Sequence, residues 1–407
     1  MKSKFNLGKV MSLIVCILII IVIFQLSMLA KEKVTIAYVG PMTGAVANMG
    51  LGARNSVILA VRQYNRGEFG EKKYEYEVKS FDDECSPAAA VQVAEKAVSD
   101  ASVMGVVSHY CSIAGMATKP IYKRSKVASI VWGAVAPSIT IPSSKYINRI
   151  CGTLREQNDA TAKWARKFVS DFYGVDLDTF VLICDSSEYG LMNKEYFSKS
   201  VKKYGGKILA AYDVAVGQLD FTTELTKAKA LNPDAIFYGM IMPETGRVRG
   251  QQYKLNIDCL MLSCSGAYIQ SFCESIGKEA LEGCIAFSEA APPKMYAGGL
   301  AFDTTYKKEN FKQLSENYGI YAYSAARVIM DVVEKVGPDR EKIADEIANL
   351  DIEDSPIGPV KMDENGQNIK VPYYTYVGQD GNWVLWEDSE YVTKGRIPIG
   401  IKRLLNK

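Results

Sequence analysis

The chain has 407 residues, 48% of them hydrophobic, and its 48 Lys plus Arg nearly balance 46 Asp plus Glu. At roughly 150 residues per domain this means about two to three domains of ordinary folded composition, which excludes a disordered or collagen-like chain. The near-neutral charge gives no support for nucleic-acid binding, and a single histidine, His109, excludes a multi-histidine metal site.

Residues 1–9 carry three lysines and no acid, and residues 10–30 carry no charge. A basic start followed by an apolar run predicts export, either behind a cleaved signal peptide or on an uncleaved membrane anchor. A lipid anchor at Cys16 is disfavoured, because most of the apolar run follows it.

From residue 34 the pattern becomes regular. VTIAYVG (34–40) reads as a buried strand, the Gly-rich turn 41–44 follows, and residues 50–65 have helical spacing. Residues 73–80 alternate as a strand does. The series continues with a helix at 88–99, a strand at 103–108, a helix at 114–124 and a strand at 127–132. A second series begins after Gly152: helix 157–171, strand 179–184, helix 189–204, strand 207–214, helix 221–230, strand 234–239, helix 244–254 and strand 259–263. Short apolar strands alternating with helices predict parallel sheets covered on both faces, here as two α/β lobes. A helix at 318–336 and a hairpin over 371–386, turning at Gln379–Asn382, follow. The last residues, 389–407, are basic and broken by Gly and Pro, and read as a frayed tail.

Eight cysteines lie beyond the apolar segment: Cys85, Cys111, Cys151, Cys184, Cys259, Cys264, Cys273 and Cys284. Export permits bridges, eight thiols allow 105 full pairings, and local bridging among the last four stays open. No CxxC, GxSxG, HExxH or GxxxxGK[ST] motif occurs, so neither an enzyme nor a resident cofactor or metal is indicated.

Several segments in order carry a resemblance: IAYVGPMTGAVANMG (36–50), SFDDECSPAAAVQVAEKAV (80–98), SHYCSIAGMATKPIY (108–122), WGAVAPSIT (132–140), CDSSEYG (184–190), LDFTTELTKAKALNPDAIFYG (219–239) and SPIGPVKMDENG (355–366). Together they resemble the substrate-binding proteins of branched-chain amino acid ABC transporters, the leucine/isoleucine/valine-binding type. The resemblance implies a type I periplasmic binding fold of two lobes joined by three crossovers. Lobe one would hold 33–153 and 286–370, and lobe two 154–285 and 371–388. It also implies a monomeric, non-catalytic receptor in the periplasm or on the outer face of the cytoplasmic membrane. Such a receptor closes over an amino-acid-like solute and delivers it to membrane permease subunits; the alternative is a sensing module for a small amide or carboxylate.

Carried residue by residue, the resemblance pairs Cys85 with Cys111 in a disulfide that fixes the loop before Ser112. Ser112 is read either as a plain helix cap or as a holder of a ligand carboxylate. Gly133, Ala134 and Val135 match a loop whose amides contact the ligand head group, with Val135 where a threonine is expected. Tyr189 matches an aromatic wall, Tyr238 and Ile241 the next strand end, and Tyr323 a further wall. Met49 replaces a family tyrosine, and His109 is read as structural. Cys264 and Ser265 stand where the amino-acid binders carry a glutamate facing the ligand ammonium. A buried ammonium without a counter-charge costs several kcal/mol. Hence either Asp185, Glu188, Glu244 or Glu289 substitutes, or the ligand is a small amide, urea-like molecule or carboxylate.

Overall fold

The computed structural model describes residues 31–406, so the basic and apolar segment at 1–30 lies outside the described residues. The first sheet contains β1 (Glu32–Gly40), β2 (Tyr74–Asp82), β3 (Val103–Ser108), β4 (Ala128–Val131) and β5 (Ile147–Arg149). Its order is β2-β1-β3-β4-β5, and every pairing is parallel. β1 is buried from Val34 to Gly40, as a central parallel strand must be when helices cover both its faces. β2, at the sheet edge, is half-exposed along most of its length, with only Tyr76 buried.

The second sheet contains β6 (Thr179–Asp185), β7 (Lys207–Val214), β8 (Ala235–Gly239), β9 (Leu260–Ser263) and β10 (Ile285–Ser288). A short separate pair, β11 (Asp351–Ile352) and β12 (Val360–Lys361), precedes the hairpin β13 (Tyr374–Gln379) and β14 (Asn382–Leu385). The hairpin adds antiparallel to the second sheet, giving the order β14-β13-β10-β9-β8-β6-β7. Its turn is Asp380–Gly381, both with positive φ, the two-residue geometry that matches strand twist.

The chain therefore passes between the sheets three times: after β5, after β10 and before β13. Between the last two passages the helix Gly319–Val336 packs along Ala47–Asn65 of the first lobe. Two expectations need correction. Ile285–Ser288 pairs with β9 and β13, so 286–288 belongs to the second sheet and not to lobe one. The C-terminal stretch is not frayed: Tyr391 and Ile401 are buried, and helix Ile399–Leu405 lies against β9. Gly400 sits so close to Leu260 that a Cβ there would be 2.2 Å from its backbone nitrogen. Among the described residues, no helix is long and apolar enough to cross a membrane.

Candidate functional site

Helix Ser112–Arg124 starts directly after β3 and a three-residue loop ending in Cys111. Cys111 is bridged to Cys85, with Cα atoms 5.4 Å apart. The first amide of the helix bonded in its own turn is that of Gly115, which donates to the Cys111 carbonyl at 3.0 Å. The amides of Ser112, Ile113 and Ala114 have no intrahelical acceptor and carry the positive end of the helix dipole. Ser112 does not cap its own helix. Its Oγ accepts from the Ala136 amide at 3.2 Å, which ties the helix start to the 133–136 loop and leaves its O–H free to donate.

The second wall begins at Tyr189, in the first turn of helix Glu188–Lys203. Asp185 and Ser187 build this turn: Asp185 Oδ1 accepts from the Ser187 amide at 3.0 Å, and Ser187 Oγ accepts from Gly190. The Tyr189 hydroxyl accepts from the Gly266 amide at 3.1 Å, and its burial pushes the phenol well above its usual range. The Tyr189 ring is thereby fixed over the loop that follows β9.

Ser112 and Tyr189 line one cavity of about 90 Å³ between the lobes, together with Gly133, Val135, Ile241 and Ser265. The lobes touch beside it: helices Ser112–Arg124 and Glu188–Lys203 are in contact, and Met192 packs on the first-lobe core. The cleft is closed.

The other expected residues lie elsewhere. Ala134 points its methyl toward Gly115, away from the cavity. Its amide and that of Gly133 both donate to the His109 carbonyl, at 3.0 and 3.3 Å, so neither is free for a head group. Only the Val135 amide of that loop has no intramolecular partner among the described residues. Tyr238 is buried in the second lobe, donating to Gln252 at 2.9 Å. Cys264 turns toward Asn158 and Thr161, where burial pushes its thiol up to about 12. Tyr323 donates to Gln63 at 2.6 Å inside lobe one, and Met49 is buried there as well.

Two tyrosines missed in the sequence complete the walls, Tyr110 and Tyr318. Tyr110 stacks on Trp132 at 5.6 Å and meets Tyr318 edge-on at 5.9 Å, geometries that aromatic pairs favour. Gly133 is required by this packing, since a Cβ there would be 2.8 Å from Tyr110 Cδ2. The available signal was an aromatic immediately before the bridged Cys111.

Of the four acids considered as counter-charges, only Glu188 lines the cavity. Asp185 serves its own turn, and Glu244 accepts from the Gly217 amide at 2.7 Å. Glu289 is fully buried one layer behind the wall: Tyr318 donates to it at 3.0 Å, and Gln157 donates to its other oxygen. Gln157 in turn accepts from Ser265 Oγ at 3.1 Å. Burial raises the Glu289 carboxyl above its ordinary value, against the hydrogen bonds that lower it. His109 is enclosed by Asp83, Thr118 and Tyr122 and does not reach the cavity. Among the described residues, the six cysteines outside the bridge are free and buried, which closes the question of local pairing among them. Among the described residues no cluster of His, Cys, Asp and Glu has metal-binding geometry.

Residues 33–382 match the family described as periplasmic binding protein. A leucine-, isoleucine-, valine-, threonine- and alanine-binding protein of Pseudomonas aeruginosa is 30% identical, over 86% of this chain and 90% of that protein. This chain belongs to the periplasmic binding protein family, leucine/isoleucine/valine-binding type. The Leu/Ile/Val-binding protein of Escherichia coli K12 is 25% identical over 84% of this chain and 89% of its own length. A leucine-binding protein of Thermotoga maritima superposes with a TM-score of 0.78 at 24% identity, covering 86% of this chain and 97% of that one. A solute-binding protein of Rhodopseudomonas palustris, solved with benzoate, gives 0.76 at 18% identity, covering 87% and 96%. The fold is the bilobed type I fold, and the periplasmic binding proteins are extracytoplasmic receptors, not enzymes.

Proposed function

We propose that this periplasmic binding protein is the receptor of an ABC importer for a small carboxylate with a compact apolar or aromatic body. One observation carries the reading. Free amides at the Ser112 helix start and at Val135 share a cavity with the rings of Tyr110, Tyr189 and Tyr318, and the uncharged Ser265 stands where an ammonium partner is expected. Helix-start amides and a serine hydroxyl suit a carboxylate, and stacked rings suit a flat apolar body. Its structural relatives include a leucine-binding protein and a solute-binding protein solved with benzoate, and both molecules bear a carboxylate. Closure of the lobes around the solute would form the surface that the permease subunits recognise.

Calorimetry of refolded, ligand-stripped protein tests this against benzoate, 4-hydroxybenzoate, leucine, isoleucine and alanine. Binding of an acid without an ammonium group is the expected result, and silence toward every carboxylate in the set overturns the reading. Glu188 on the cavity wall favours a second reading, an α-amino acid whose ammonium faces that side chain. In that case Glu188→Gln weakens amino-acid binding about tenfold or more, as loss of a charge-assisted bond does, and leaves benzoate untouched.

A further inference from the structure

A second cavity, of about 310 Å³, shares no lining residue with the cleft. It lies where the chain crosses between the sheets, and Arg149, Thr140, Thr153, Arg155, Asn365 and Tyr373 contribute to its wall. Arg149 is only 1% exposed. Its Nε donates to Gln367 Oε1 at 2.5 Å, and Nη1 donates to the carbonyls of Ala136 and Ala134 at 2.6 and 3.3 Å. Every one of these acceptors is neutral, and Nη2 has no hydrogen-bond partner among the described residues. A guanidinium removed from water normally sits against a carboxylate, because carbonyl dipoles do not neutralise its charge.

Glu156 and the fully buried Glu289 act in favour of the Arg149 charge, but neither is hydrogen-bonded to it. Lys119, close enough to Arg149 to be affected by its charge, donates only to the carbonyls of Ser138 and Ile141. Arg155 is exposed on the cavity wall without an acidic partner. Two acids share the wall: Glu156, exposed beside Arg155, and Asp363, whose Oδ1 is taken by the amides of Asn365 and Gln367 at 2.9 and 2.8 Å. Neither forms an ion pair with Arg149. Burial is the main influence on the guanidinium, and it acts against the charge.

We propose that this cavity is a second binding site, for a small oxyanion, in which Arg149 Nη2 and Arg155 hold the oxygens and the hydroxyls of Thr140 and Thr153 lie alongside. Two nitrogens of separate guanidinium groups provide the charge-assisted donors that carboxylate and phosphate share. The site is independent of whatever occupies the cleft.

The test uses the whole exported chain with inorganic phosphate and acetate as probes, and chloride at matched ionic strength as the control. Saturable binding of phosphate or acetate is expected by calorimetry, unchanged when the Tyr189 cleft is altered by Tyr189→Ala. Arg155→Gln, at an exposed position that does not endanger folding, is expected to weaken it about tenfold. Arg149→Gln is expected to abolish it; should that variant not fold, a selenate-soaked crystal provides the check through anomalous density beside Arg149 Nη2. Equal response to chloride, an Arg155→Gln affinity matching wild type, loss of the signal on Tyr189→Ala, or no selenate beside Arg149 would each overturn the assignment. Acetate binding without phosphate binding would mark a carboxylate site, and the reverse a phosphate site.

Discussion

The first-lobe wall of the cleft combines backbone donors, the amides of Ser112 to Ala114 and of Val135, with the rings of Tyr110 and Tyr318, and is held by a disulfide and by Ser112 Oγ. The second-lobe wall presents side chains: the Tyr189 ring, Ile241 and Ser265, held by hydrogen bonds to the Gly266 amide and to Gln157 Oε1. The contrast separates two tasks. On the proposed function, backbone donors on the covalently fixed loop would hold any carboxylate, whereas the rings and branched chains of both walls would discriminate between bodies. Substitution at the bridge or the backbone-donor loops should therefore alter stability and general affinity, and substitution of the rings and branched chains ligand preference.

The largest effect expected comes from the bridge. Replacing Cys85 and Cys111 by serine releases a loop whose closure is worth about 3.5 kcal/mol by chain-entropy reasoning, and urea unfolding should show a loss of that order. An unchanged midpoint would mean that the first wall is held by packing alone. Tyr189→Ala comes next, weakening binding by about 2 kcal/mol, as truncation of a buried aromatic anchor does. Tyr189→Phe, which removes only the acceptor for the Gly266 amide, should cost about 1 kcal/mol in calorimetry. Gly133→Ala drives a methyl into the Tyr110 ring and should lower affinity by about 1 kcal/mol or more, most for ligands with a flat body. An unchanged ligand ranking would break the proposed division between donors and rings.

The smallest effect is a pH dependence. The Glu289 carboxyl is raised in the folded state, so between its unfolded pKa and its folded value the native protein binds more protons than the unfolded chain. Stability contributed by the protonated form is lost as pH rises through that window. Glu289→Gln removes the effect, so its stability relative to wild type should improve from pH 4 to pH 8 in urea melts. A constant difference would show that the native carboxyl titrates as an unfolded one does.

The strand and helix series was legible because parallel strands buried on both faces leave unbroken apolar runs, and β7 and helix Glu244–Lys254 fall where the spacing put them. The chain's return from β10 was not, since a four-residue apolar strand looks the same in either sheet. Within the site, sequence position identified the right loops but not which side chain turned inward. Tyr323 and Tyr318 stand five residues apart, well over a quarter-turn from a shared helix face, and only Tyr318 reaches the cavity. Cys264 and Ser265 show the same limit, because neighbours at a strand end point to opposite sides. The tail misled because its basic residues suggested solvent, while the buried Ile401 and the Arg403 bond to Asn232 tie it to the second lobe.

The cysteine arrangement has a consequence for how the chain matures. Cys85 and Cys111 precede the six free cysteines in the described chain, so a chain threading out N-terminus first presents the bridging pair to an oxidant before the rest emerge. The later six are buried in the folded protein, Cys151 beside the first sheet and the other five in the second lobe, with the thiols of Cys259, Cys264 and Cys273 pushed up to about 11, 12 and 12. Emergence order thus favours the Cys85–Cys111 linkage, and burial of the other six thiols in the fold keeps them from competing for it.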